Sequence, residues 1–212
     1  GIADTGIDYT HPVFRYGDGR SRILAIWDQT AEATDDVDVP FGKLYLQEQI
    51  NEALESENPL ELVPVTDENG HGTFMAGLAA GNEVEEENFT GIAPDADILV
   101  VKLRQAEDCL KQFWYISEDT PAFVEEDLIA AIDFMISFAT GRNQDMVLYF
   151  GVSSSQGDHN GRGDFTGYLN LISLQPGRAV VLPAGNEGNA AHHFSSRSYE
   201  GVVYQDVEVR IS

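Results

Sequence analysis

The sequence predicts an α/β fold in three layers: a mostly parallel sheet with helices on both of its faces. Two observations carry this. Uninterrupted apolar runs of strand length at residues 23–27, 98–101 and 146–150 have the composition of strands buried on both sides. Between such runs lie stretches with helical spacing. The clearest is 123–140, where Leu128, Ile129, Ile132, Met135, Ile136 and Ala139 recur at helical intervals. Strands alternating with helices imply parallel pairing through crossovers. At 212 residues, 42% of them apolar, the chain is long enough for one domain with a substantial core.

In chain order, residues 1–3 form the tail of a strand that delivers Asp4, and 5–14 read as turn and loop. Residues 23–27 are the next strand. Residues 30–41 are acidic, contain Pro40 and show no apolar period, so an exposed loop is expected there. A short helix is expected over 44–54, ended by residues 56–59. A second helix is expected over 71–80, stopped by Gly81-Asn82. A buried strand follows at 97–103, then an irregular stretch at 105–120 holding Phe113, Trp114 and Tyr115. The long helix at 123–140 is closed by Gly141. After the strand at 146–150 come a Gly/Ser-rich loop (153–163), a helix (167–174) and a strand (178–182). From Val203 apolar and polar residues alternate, with Val207, Val209 and Ile211 against Asp206, Glu208 and Arg210. That is the pattern of a half-exposed antiparallel strand, unlike the buried runs before it.

Charge narrows the partners. Thirty-six acidic residues face 12 basic ones, a formal net charge of −24. Nucleic acid and anionic membrane are therefore poor partners. Cys109 is the single cysteine, which excludes an internal disulfide and a Cys-based zinc site. No 18-residue apolar run is present.

Three short stretches set a polar residue among glycines and other small residues. Gly70-His71-Gly72-Thr73-Phe74-Met75-Ala76-Gly77 puts an imidazole at a helix start, among residues too small to block an approaching group. Ile2-Ala3-Asp4-Thr5-Gly6-Ile7-Asp8 ends a strand on a carboxylate. Ala184-Gly185-Asn186-Glu187-Gly188 presents an amide on a tight turn. Taken singly, each also fits a structural role: His71 a cap or loop residue, Asp4 an Asx-turn residue, Asn186 a left-handed turn residue.

Taken together and in this order, the three motifs resemble the subtilisin-like serine peptidases. His11-Pro12 and Gly91-Ile92-Ala93-Pro94 match as well. Residues 25–30 (Ala-Ile-Trp-Asp-Gln-Thr), the insert ending Glu57-Asn58-Pro59, and the Gly188 to Phe194 stretch look most like the germination proteases of spore-forming bacteria. The resemblance implies a subtilisin-like fold, with His71 as general base, Asp4 accepting its Nδ1–H, and Asn186 as oxyanion donor. It implies that Tyr149-Phe150-Gly151 stands where the family's Ser-Leu-Gly binds the substrate backbone. It further implies a protein or peptide substrate, a prodomain in a longer parent, and an extracellular or spore-associated setting. No cofactor is expected.

The resemblance also marks departures. The family's nucleophile lies in a Gly-Thr-Ser-Met-Ala stretch, which is absent from these 212 residues. In the family that serine opens a long helix packed on the sheet. Without it, apolar surface of the 98–101 and 180–182 strands is expected to be exposed, and the chain is expected to be a fragment. Residues 1–198 would then be a partial catalytic domain, and 199–212 the opening of an inserted β-sandwich. Phe74 replaces the second His of His-Gly-Thr-His, which is no triad member. Val13 replaces an aspartate that binds calcium in several relatives, so no metal site is expected. His192-His193 lacks supporting ligands in sequence. The alternative function is a catalytically inactive pseudopeptidase that binds a ligand or partner.

Overall fold

A computed structural model of the chain describes residues 1–32, 39–154 and 160–186, together with Gly188 and Gly201. In chain order the strands are β1 (Ile2–Asp4), β2 (Ile23–Asp28), β3 (Lys43–Leu46), β4 (Ile98–Lys102), β5 (Met146–Phe150) and β6 (Arg178–Val181). The helices are α1 (Gln47–Glu55), α2 (Pro59–Leu62), α3 (His71–Ala80), α4 (Asp108–Phe113), α5 (Glu125–Gly141) and α6 (Asp164–Ser173). One six-stranded sheet runs β3-β2-β4-β1-β5-β6, parallel throughout except for β3. The chain lays β2 and β4 on one side of β1, then β5 and β6 on the other. Asp4, the last residue of β1, thus stands at the carboxyl edge where the winding reverses, the usual place for a site in such a sheet.

The apolar runs face both ways because the sheet is covered on both faces. Along β4, Ile98 and Val100 enter one cluster with Ile50 and Ala53 of α1 and Ala76 and Ala80 of α3. Leu99 and Val101 enter the other, with Ala131, Ile132 and Met135 of α5 and Leu169 and Ile172 of α6. Burying each such large aliphatic side chain contributes roughly 1.5–3 kcal/mol. A register shift between Ile23 and Ala25 lets Ile23 and Ile26, three residues apart, share one cluster, while Ala25 and Trp27 enter the other. Arg22, itself buried, donates from Nη1 to the Ala80 carbonyl and to Asn82 Oδ1, both at 2.6 Å, and from Nη2 to the Ala96 carbonyl. It thereby satisfies a carbonyl that the end of α3 leaves open.

Four expectations change. The stretch at 44–54 begins as a strand, because Leu44 and Tyr45 are buried against β2 in antiparallel register before α1 starts. Gln49 Oε1 accepts the Leu46 N–H at 2.9 Å and so starts that helix. The stretch expected to be irregular contains α4. Its anchor is Lys111, buried, with Nζ donating to Gln105 Oε1 (3.1 Å) and the Glu118 carbonyl (3.0 Å). The long helix runs through Gly141, and the chain turns at Asn143, whose φ is +52°. Residues 98–101 are fully buried instead of exposed, whereas Val147, Val181 and Leu182 are exposed. With Ile2, Ala79 and Tyr149, Val147 and Val181 line an apolar groove of about 840 Å³. Residues 202–212, which hold the strand expected from Val203, lie outside the described residues, as does His192-His193. Among the described residues no helix is long and apolar enough to cross a membrane.

Candidate active site

Two of the three motif residues meet. Asp4 is carried to the sheet edge by β1 and is 1% exposed. Its Oδ1 accepts the Thr5 N–H at 2.7 Å and lies 2.8 Å from His71 Nδ1. His71 is the first residue of α3, and its side chain is 44% exposed. The buried carboxylate therefore favours the tautomer with the proton on Nδ1, which leaves Nε2 as a proton acceptor on the ring's other side.

The approach of the two segments depends on small residues. A Cβ on Gly72 would lie 2.2 Å from the Gly6 carbonyl oxygen, so the start of α3 can reach the turn after β1 only with glycine there. A Cβ on Gly151 would lie 1.5 Å from Asp4 Oδ2, an atom buried without a hydrogen-bond partner among the described residues. Gly151→Ala is accordingly expected to force the carboxylate or the end of β5 aside. Overpacking of this kind costs typically about 1–3 kcal/mol. Chemical denaturation should show that loss; an unchanged midpoint would mean that the contact relaxes freely.

Tyr149, Phe150 and Gly151 end β5. The Phe150 ring is buried in the α5/α6 cluster, and Tyr149 packs against the opposite one. Burial, and then the charge of Asp4, push the Tyr149 hydroxyl above its ordinary range, so it stays neutral. β6 pairs with β5 only as far as Tyr149, and β1 occupies the other side, where Gly151 N–H donates to the Ala3 carbonyl at 2.9 Å.

Asn186 lies beyond the end of β6, exposed, at the same carboxyl edge, and makes no hydrogen bond to Asp4 or His71. Its loop leans on the one after β5, since a Cβ on Gly185 would meet Ser153 Oγ at 3.3 Å. Val13 packs in the core cluster. Among the described residues no three His, Cys, Asp or Glu groups lie together as a metal site would require. The sequence reading passed over Asp67, Thr5 and Thr73, whose side chains join the segment of Asp4 to that of His71.

The sequence and the fold are similar to those of known proteins. A sequence model described as "Subtilase family" matches residues 1–205. The chain belongs to the subtilase family. It is similar to the major intracellular serine protease of Bacillus subtilis, 26% identical over 147 residues, covering 68% of this chain and 38% of that protein. It is similar to the subtilisin-like protease SBT2.2 of Arabidopsis thaliana, 28% identical over 219 residues, covering 93% of this chain and 23% of that protein. Among solved structures it resembles the Clostridium perfringens CspB protease, with a TM-score of 0.74 and 32% identity over 90% of this chain and 37% of that one. The chain spans between 23% and 42% of the length of the curated relatives it matches. The mostly parallel sheet with helices on both faces is the subtilase architecture, and the relatives share a peptidase chemistry.

Proposed function

We propose that this chain carries the base, its orienting carboxylate and the oxyanion donor of a serine endopeptidase. The observation that carries the proposal is the 2.8 Å contact between His71 Nδ1 and a fully buried Asp4 carboxylate, with the rest of the imidazole half-exposed. An oriented, accessible imidazole backed by a buried charge is what general-base activation of a hydroxyl needs. His71 Nε2 takes the proton of the attacking serine, and Asp4 offsets the positive charge the ring then carries. When the leaving amine departs, the same proton passes to it from Nε2. The Asn186 amide donates to the oxygen that becomes negative in the tetrahedral intermediate.

The nucleophile is assigned to a Gly-Thr-Ser segment that these 212 residues do not contain. The apolar groove beside β1, β5 and β6 is the seat assigned to the helix which that serine opens. The substrate backbone pairs along the end of β5, past the last residue in register with β6. The motifs beyond the triad support placement in the germination-protease branch, in an extracellular or spore-associated setting.

The test is Asn186→Ala in the parent peptidase that includes the serine segment. Loss of such a donor lowers turnover by roughly 10²–10³ in subtilisin, a value carried over from that relative. Turnover should fall by that much with little change in KM. An unchanged kcat at saturating peptide would remove Asn186 from the chemistry. A parent with no peptide hydrolysis at all would favour a binding role for the same fold.

A further inference from the structure

The residue before α3 is Gly70, with φ of +80° and no side chain to cap the helix. Two of the first amides of α3, those of Gly72 and Thr73, nevertheless find side-chain acceptors. Gly72 N–H donates to Thr5 Oγ1 at 3.0 Å, and Thr73 N–H donates to Asp67 Oδ2 at 2.8 Å. The same Oδ2 accepts the Thr73 hydroxyl at 2.7 Å. Asp67 Oδ1 accepts the Thr5 hydroxyl at 2.7 Å and the Gly70 N–H at 3.0 Å. Thr73 Oγ1 in turn accepts the Asp8 N–H at 2.9 Å.

Each bond of this carboxylate ends on one of two places. One is Thr5, covalently next to Asp4; the other is the start of the helix that His71 opens. Burial alone would push the Asp67 carboxyl up, but its bonds to Thr73, Thr5 and Gly70 outweigh that and hold it below the ordinary carboxylate range. It is therefore charged at neutral pH, and a negative charge suits the positive end of a helix. Asp8 and Thr73 close a second link between the same two segments.

We propose that Asp67 is a positioning residue that sets the Asp4–His71 geometry, acting through Thr5 and Thr73 and touching no reacting atom. This rests on the reading of Asp4 and His71 as a catalytic pair. Removing the brace leaves α3 and the β1 turn attached to the sheet but free to shift against each other. A misplacement of about 1 Å is enough to cost roughly 10²-fold in rate.

The experiment compares Asp67→Asn, Thr5→Val, Thr5→Ser and Glu68→Gln. Asparagine keeps the shape of Asp67 but sets an NH₂ group against donors whichever way it turns, those of Thr73 or those of Thr5 and Gly70. Glu68 pairs with Lys102 and takes no part in the brace. The first readout is proton NMR of the protein with ¹⁵N-labelled histidine, following the far-downfield signal of a ring N–H bonded to a carboxylate. Asp67→Asn and Thr5→Val should abolish or displace that signal, while Thr5→Ser and Glu68→Gln retain it. In the parent peptidase the first two should lower kcat by roughly ten- to a hundredfold with KM unchanged. An unaltered signal and kcat in folded Asp67→Asn would overturn the proposal; should that variant fail to fold, Thr5→Val decides in the same way. A parent that hydrolyses no peptide defeats the peptidase reading, and the NMR comparison still decides the role of Asp67.

Discussion

Replacing His71 by alanine in the intact peptidase is expected to lower kcat by about 10⁶-fold, the scale known for the corresponding loss in subtilisin. Among the described residues no other group near Asp4 Oδ1 can serve as the base. That oxygen's other contact is the Thr5 backbone N–H, which cannot accept a proton from a serine. The effect should fall on kcat and leave KM nearly unchanged, because the proton transfer belongs to the transition state. The half-exposed ring leaves a gap that water can fill, so the fold should survive. A residual rate within a hundredfold of the unsubstituted enzyme, in protein of unchanged melting temperature, would show that another group acts as base.

Asp4→Asn is the second large effect, expected at about 10⁴-fold in kcat, the scale of losing the corresponding aspartate in subtilisin. The local geometry predicts how the amide will sit. Two donors, Thr5 N–H and His71 Nδ1–H, converge on Oδ1, whereas Oδ2 faces Gly151 without a partner among the described residues. The amide oxygen should therefore take the place of Oδ1, which preserves the histidine tautomer. What disappears is the negative charge that offsets the imidazolium. A neutral acceptor in a buried position stabilises that cation far less than a carboxylate does. Steady-state kinetics at saturating peptide would check this, and a loss smaller than tenfold would mean that the Asp4 charge is not used.

Much of this architecture could be read from the residues because it rests on burial and on element ends. β1, β2 and β4 are sandwiched between two helical layers, and β5 buries Leu148 and Phe150 against α5 and α6, so their apolar runs are plain in the sequence. Asp4 ends a strand and His71 begins a helix, positions that glycine and threonine neighbours mark. The antiparallel β3 was hidden because its four residues are too few to show a period and run straight into α1. α4 was hidden for a different reason: a buried lysine, not an apolar face, holds it in place. Asp67 carries no local signal beyond its position four residues before His71. Its importance lies in partners 62 and 6 residues away, which only folding brings together. A capless Gly70 was the clue that some other side chain must satisfy the start of α3.

The central claim is that Asp4 and His71 activate a serine supplied from outside these 212 residues. The measurement that tests it most directly is labelling by a fluorophosphonate probe, with the modified residue located by mass spectrometry. The probe would be applied side by side to the parent peptidase and to residues 1–212. One adduct per parent molecule, on the serine of a Gly-Thr-Ser segment, and none on residues 1–212 is the predicted result. A stoichiometric adduct on any serine of residues 1–212, or no adduct on a folded and mature parent, would contradict it.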